Sequence, residues 1–424
     1  MLRIAYNLVA WLAQPLLRRK LARRAVSEPG YGKLVEERFG QYKVARPSGL
    51  GPLVWIHAVS LGETRAASIL LKALREREPR MRLLLTHGTA TGRAEGLKLL
   101  QPGDVQVWQP WDTRGAVRRF LDRFRPDLGI LMETEIWPNL LLESAGRGIP
   151  LALANARLSE KSLRAAERGG RLMRPAYGAL SVAWAQTEDD AARLRAIGVR
   201  QVSVLGNLKF DVQPDPAQMA RGRAWRAASV RPVVMFASSR EGEEAEFLRH
   251  IKLTVTPPEP AGVQWLIVPR HPQRFDEVAE LIESYGLSVS RRSTWGDATP
   301  EPADVWLGDS LGEMAAYYGS ADAVLLGGSF APLGGQNLIE AAACGCPVLM
   351  GPHTFNFAEA AHLAESANAA RRVQELSTAV VDSCKLVHDR DQLAAMRESA
   401  LGFASAHRGA AKCTADAALA LIQE

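Results

Sequence analysis

From about residue 53 the chain alternates short apolar runs with amphipathic stretches. "PLVWIHA", "RLLLTHG", "VQVWQP", "DLGILME", "IPLALANA", "VAWAQT" and "VSVLG" read as buried strands, and "AASILLKALRERE" and "RGAVRRFLDRFR" between them read as helices. Apolar runs that do not alternate, separated by helices, predict a parallel sheet covered on both faces. The pattern pauses at "KFDVQPDPAQMARGRAWRAASV", whose Pro and polar content predicts a linker. It resumes with "PVVMFAS", "VQWLIVPR", "LSVSRR", "VWLGD", "AVLLGGS" and "PVLMG". The expected fold class is α/β: two Rossmann-like, doubly wound parallel-sheet domains, over 27–213 and 214–424. Ligands are expected in a central cleft at the carboxyl ends of the strands.

The N-terminus follows another pattern. "IAYNLVAWLAQPLL" (4–17) is apolar and is followed by Arg18, Arg19, Lys20, Arg23 and Arg24. A spanning helix wants roughly 20 apolar residues. A signal peptide would carry its positive charge before the run and a small-residue cleavage site after it. The pattern predicts a membrane anchor over 1–26, its basic flank facing anionic lipid on the cytoplasmic side. The alternative is an amphipathic helix packed on the protein's own surface.

Composition narrows the class only a little. In 424 residues, 52 Lys and Arg against 46 Asp and Glu give +6, which suits an anionic substrate or membrane surface and equally a plain solvated protein. No nucleic-acid partner is expected. Cys344 and Cys346 form a lone CxC, with Cys384 and Cys413 far downstream, so reduced thiols are expected and no zinc site. No dinucleotide fingerprint or Walker loop follows any predicted strand.

Candidate chemistry sits at strand ends. In "WIHAVSLGETRAA", Glu63 follows Gly62 where a strand gives way to a helix. A carboxylate there is either a base at a cleft or a first-turn Glu complementing the helix dipole. In the second half, "AVLLGGSFAPLGGQNLIEAAACGCPVLMGP" is a strand, a glycine-rich loop and a helix opening near Asn337. Unpaired N–H groups at a helix start attract phosphate, and Glu340 one turn in is placed for ribose hydroxyls. "IVPRH" and "GDSLGEM" put Arg270 and His271, and Gly312 and Glu313, at two more strand ends. Three polar clusters in one domain favour a nucleotide pocket.

The set "HAVSLGETRAA", "LLTHGTATGRA", "METEIWPNLL", "NARLSEKS", "GNLKFD", "VPRHPQRF", "GDSLGEM" and "GGSFAPLGGQNLIEAAACGCPVLMGPHTFNF" closely resembles bacterial 3-deoxy-D-manno-octulosonic acid (Kdo) transferases over nearly the whole chain. The resemblance implies a GT-B glycosyltransferase moving Kdo from CMP-Kdo onto a lipid A precursor at the cytoplasmic face of the inner membrane. Neither metal nor cofactor is implied. It makes Glu63 the proton acceptor, with Gly62 letting the backbone turn Glu63 toward the cleft. Glu133 of "METEIWPN" becomes a transition-state stabiliser, with Glu135 as its rival, and Lys209 of "GNLKFD" a second one. The CMP pocket falls on Pro269 and Arg270, on Leu311, Gly312 and Glu313, and on Asn337, Leu338, Ile339 and Glu340. Basic residues Arg118, Arg119, Arg123 and Arg125 are candidates for lipid phosphates. A GT-B-fold nucleotide-sugar epimerase and a non-catalytic membrane-surface binder are the alternatives.

Overall fold

The computed structural model describes residues 2–255, 262–296 and 299–423. The chain divides into two compact units, one running to Asp211 and resuming at Arg408, the other Val212–His407. Each is built on a seven-stranded sheet in which every pairing is parallel.

The first unit holds β1 (Leu53–His57), β2 (Arg82–His87), β3 (Val105–Trp108), β4 (Leu128–Met132), β5 (Leu151–Ala156), β6 (Val182–Ala185) and β7 (Val202–Val204), in the order β3-β2-β1-β4-β5-β6-β7. Both faces of the sheet are buried. Leu53, Trp55, Leu131 and Leu153 pack with Phe120 and Phe124 on one side. Val54, Ile56, Ile130 and Ala152 pack with Leu70, Leu74 and the last helix on the other. This is why these strands read as unbroken apolar runs.

The second unit holds β8 (Val233–Ser239), β9 (Gln264–Pro269), β10 (Val289–Arg291), β11 (Val305–Leu307), β12 (Ala323–Leu326), β13 (Val348–Met350) and β14 (Ala370–Arg372). Their order is β10-β11-β9-β8-β12-β13-β14. Strand order reverses at β1/β4 in the first unit and at β8/β12 in the second. Such switch points are where open α/β sheets take their ligands.

Two features differ from the sequence expectation. The stretch expected as a linker is largely a helix, Pro216–Ala228, started by Asp215, whose side chain accepts from the N–H groups of Ala217 and Gln218. Trp225 buries it, and a Cβ at Gly222 would meet the Ala316 carbonyl at 2.1 Å, so it packs tightly on the helix Met314–Ser320. The boundary at 214 also misses that helix Ala410–Gln423 belongs to the first unit. Its Ala410, Ala411, Ala415 and Ala418 are buried there, and Asp211 accepts from the N–H groups of Gly409 and Ala411 at 2.6 and 2.7 Å.

The N-terminus forms two helices, Leu2–Leu12 and Gln14–Ser27. No helix among the described residues is long and apolar enough to cross a membrane. The first helix is tied to its own unit along a polar edge. Arg3 bonds Asn139 and Glu143, Tyr6 donates to Asp112, and Asn7 accepts from Asn139. Its other side leaves Ile4, Leu8, Val9 and Trp11 exposed.

Candidate active site

At the switch point of the first unit, the turn after β1 carries Glu63. Ser60 caps the helix Leu61–Arg77, its Oγ accepting from the Glu63 N–H at 3.3 Å, and Glu63 reaches back. Its Oε1 accepts from the Ser60 hydroxyl at 3.0 Å and its Oε2 from the Val59 N–H at 2.9 Å. This is a variant of the capping box, with the N–H of the residue before the cap in place of the cap's own, so the structural alternative for Glu63 is realised. It does not exhaust the residue. Burial raises the Glu63 carboxyl to about 7; the Val59 bond works against this, and the charges of Glu135 and Glu133 add to it. A carboxyl poised there exchanges a proton at neutral pH.

Gly62 is not what turns this segment. It has no positive φ, and a Cβ there would meet only the Ser60 Oγ at 3.9 Å. The cap makes the turn. The glycine that matters is Gly92 of "THGTATGRA", where a Cβ would lie 2.9 Å from the Val59 carbonyl. It lets the helix Ala90–Leu97 press against the turn that carries Glu63.

The turn after β4, across the switch point, supplies the other carboxylates. Glu133 sits at φ +55°, a left-handed backbone that costs a non-glycine residue about 1–3 kcal/mol and gathers at functional sites. Its N–H donates to the Ala154 carbonyl at 2.9 Å, and its Oε1 lies 3.1 Å from Nζ of Lys209. Geometry separates the two rivals of "METEIWPN". Glu135 accepts from Trp137 Nε1 at 2.7 Å and lies 3.7 Å from Nε2 of the buried His57. Burial pushes its carboxyl up, but the His57 and Trp137 contacts outweigh that and hold it low.

Lys209 is delivered by a network that explains two more motifs. Asn155, at φ +52° in β5, accepts through its side chain from the Leu208 N–H at 3.0 Å, fixing the turn Leu208–Asp211. Asn207 donates to Gln186 and accepts from the Lys209 N–H. His57 and Gln186 were not selected from the sequence. Both lie within apolar strand runs, where a single polar residue gives no pattern.

In the second unit, Glu243 closes the β8/β12 switch point. Its carboxylate accepts from the N–H groups of Gly328 at 2.8 and 2.9 Å and of Arg240 at 2.9 Å. A Cβ at Gly327 would fall 2.5 Å from the Ser238 carbonyl, so the two loops need a glycine to lie this close. Beside them, Pro269 ends β9 and the Arg270 N–H bonds the Ser239 carbonyl at 3.0 Å. Burial, then the charges of Arg240, Arg270 and Arg274, depress the His271 imidazole. These strand ends are therefore a cationic neighbourhood suited to phosphate. Arg240 was missed in the sequence, where "ASSREGEE" shows a lone Arg among acidic residues.

The remaining expected pocket residues divide. Leu311 is exposed and Gly312 adopts φ +82°. The Glu313 carboxylate is already held by Arg221 at 2.6 Å, Arg292 at 3.0 Å and the Ser310 hydroxyl. Asn337 caps the short helix Leu338–Ala343, accepting from the Ile339 N–H at 3.2 Å and donating to Glu340 Oε1 at 3.0 Å. Leu338 and Ile339 have fully buried side chains. They have only backbone to offer a ligand, and the Ile339 N–H is taken. Glu340 is half-buried, with its other oxygen outside that bond. Among the described residues no group of three or more His, Cys, Asp or Glu is placed to hold a metal ion.

Known proteins bear on these sites. The sequence profile of the 3-deoxy-D-manno-octulosonic-acid transferases (kdotransferases) matches residues 33–212. A 3-deoxy-D-manno-octulosonic acid transferase of Bordetella pertussis is 46% identical over 423 residues, 97% of each chain. One from Haemophilus influenzae is 33% identical over 370 residues, 85% of this chain and 84% of its own. Among solved structures, a glycosyltransferase from Rickettsia africae aligns with TM-score 0.59 at 12% identity, over 88% of this chain and 99% of its own. A UDP-GlcNAc 2-epimerase from Neisseria meningitidis aligns with TM-score 0.57 at 15% identity, over 88% and 99%. Those two likenesses establish a GT-B fold and do not choose between transferase and epimerase. Identity over the whole chain does choose, and with it the chain belongs to the 3-deoxy-D-manno-octulosonic acid (Kdo) transferases, a family of glycosyltransferases.

Proposed function

We propose that the protein transfers Kdo from CMP-Kdo to a lipid A precursor, lipid IVA, in lipopolysaccharide synthesis, with inversion at the anomeric carbon. The observation that carries this reading is Glu63, a carboxyl raised to about 7 at the β1/β4 switch point of a Kdo transferase. A hydroxyl oxygen of the acceptor sugar attacks the Kdo anomeric carbon, and Glu63 takes its proton. The bond from that carbon to the CMP phosphate oxygen breaks, and its electron pair leaves with CMP. The Lys209 cation, steadied by Glu133, meets the negative charge of the Kdo carboxylate or of the departing phosphate. In the second unit, Arg270 and Arg240 attract the CMP phosphate, Gly312 leaves its loop open to the nucleotide, and Glu340 accepts from ribose hydroxyls.

Localisation belongs to the same proposal. The exposed apolar side of the first helix and the basic run Arg18–Arg24 favour the cytoplasmic face of the inner membrane, the helix lying in the interface. Its 11 residues, tied down through Arg3 and Tyr6, support lying over spanning.

Incubation with CMP-Kdo and lipid IVA, followed by mass spectrometry of the lipid, tests the chemistry. A mass increase of one or more Kdo residues is expected, and an unmodified lipid with intact CMP-Kdo overturns the reading. Fractionation of cells tests the location: recovery wholly in the soluble fraction removes the membrane assignment.

A further inference from the structure

Four guanidinium groups converge on one carboxylate near the first helix. Glu143, nearly buried, accepts from Arg3 Nη2 at 2.7 Å, Arg118 Nε at 2.9 Å, Arg114 Nε at 3.0 Å and Arg147 Nη1 at 3.1 Å. Burial opposes its ionisation, yet Arg118, Arg147 and Arg114 bring the carboxyl down to about 2. Asp122, which accepts from Arg147, is a second anion of the group, and Asp112, whose charge acts on Arg3, is a third. Four cations against three anions leave one positive charge in excess. Arg147 is shared with Asp122 and Arg3 with Asp112, so Arg114 and Arg118 together carry more charge than Glu143 neutralises.

How Arg114 and Arg118 use their nitrogens narrows the ligand. Both meet Glu143 through Nε alone, and neither terminal Nη pair has a hydrogen-bond partner among the described residues. The two side chains are 52% and 45% exposed. They lie four apart on the helix Arg114–Phe124, hence on one face, at its positive end. Other arginines of this region are placed differently: Arg119 bonds the Phe39 carbonyl through Nη2, Arg123 the Val44 carbonyl through Nε and Nη2, and Arg125, held through Nε to the Asp122 carbonyl, caps the opposite, negative end of the helix. The sequence set Arg118, Arg119, Arg123 and Arg125 thus reduces to Arg118, joined by Arg114. Two forks presented side by side suit the oxygens of a phosphate. Arg3 brings the first helix to the same carboxylate, and its neighbours Leu2 and Ile4 are 50% and 72% exposed. Apolar surface beside a phosphate site fits an amphiphile.

We propose that Arg114 and Arg118, seated on Glu143 beside the first helix, bind a phosphate group carried by a lipid. The bearer is either a bilayer phospholipid or the glycolipid acceptor; only the second rests on the function proposed above.

The test uses the full chain with Arg114→Ala and Arg118→Ala together, leaving Arg3 and Arg147 on Glu143. One arm measures flotation with phosphatidylcholine vesicles with and without phosphatidylglycerol. The other measures binding of detergent-dispersed lipid IVA and of its dephosphorylated form, with no phospholipid present. Loss of about tenfold or more in phosphatidylglycerol-dependent flotation, or in the preference for phosphorylated lipid IVA, is expected. The arm that responds names the bearer. Wild-type behaviour in both arms overturns the site. If the double variant has a lowered thermal transition, Arg118→Gln is taken through both arms under the same criteria. Neither arm reads Kdo transfer, so an enzyme inactive on lipid IVA would sink the proposed function and leave this result standing.

Discussion

The two units share a sheet architecture and a switch point, yet spend their charged residues in opposite ways. In the first, carboxylates are crowded and one is pushed up: Glu63 to about 7, with Glu133 and Glu135 contributing, and Lys209 bound to Glu133. In the second, most strand-end carboxylates are held by structure, Glu340 being the exception. Glu243 holds backbone N–H groups, Glu244 holds Ser239 and Arg274, and Glu313 holds Arg221 and Arg292. What remains beside them is cationic. A perturbed acid moves protons, and a cationic strand end holds phosphate. On the proposed function, the same topology carries a reactive half and a holding half.

Changes in the first unit should therefore reach turnover and spare CMP affinity. Glu63→Gln has the largest expected effect, a loss of roughly 10²-fold or more in transfer, the scale for losing a general base. Calorimetric CMP affinity should stay unchanged; a parallel loss would break the division of labour. Lys209→Ala should follow, lowering kcat by roughly 10-fold or more because charge on donor or leaving group loses its counter-ion. A rise in KM alone would move Lys209 to the holding side.

The second unit should respond in the other parameter. Glu340→Ala is expected to weaken CMP binding by about 1–3 kcal/mol, since ribose hydroxyls lose a charged acceptor. Unchanged calorimetric affinity would leave Glu340 as the partner of Asn337 and nothing more.

The smallest effect concerns pH. Glu63 must be ionised to act, so kcat/KM should rise with pH through about 7. Replacing Glu135 by Gln removes a charge that raises the Glu63 carboxyl, so the acid limb should move to lower pH. A limb that stays in place would show that the Glu135 charge does not set it.

Thirteen of the strands were legible, most of them because a parallel strand covered on both faces must be apolar throughout, while β7 and β10 at the edges showed only as short valine-containing runs. β14, Ala-Arg-Arg, was not: it is three residues long at the sheet edge, and only Ala370 is buried. The helix Pro216–Ala228 was hidden behind its prolines, although Asp215 before Pro216 is a start signal and Trp225 an anchor. Helix Ala410–Gln423 carries a small-residue face that fits many surfaces, so nothing in it names the sheet it covers. At the sites, Glu63, Glu133 and Lys209 stood at strand ends, where motif and resemblance point together. What joins them is tertiary: His57 meeting Glu135, Asn155 reaching Leu208, Glu243 tying two loops. No spacing along the chain encodes those distances. Arg114 and Arg118 show the same gap, since which nitrogen of an arginine is occupied is written only in the fold.

The return of the last helix to the first unit has a consequence for synthesis. Residues 212–407 form a unit whose chain is complete when His407 has been made. The first unit is open at that moment: the alanines that cover Leu70, Leu74 and Leu208 come afterwards, and so do the amides that Asp211 awaits. Domains generally fold as units while the chain is made from its N-terminus. Here the unit that begins first is closed last. Until then the half with the reactive carboxylates lacks one wall of its core.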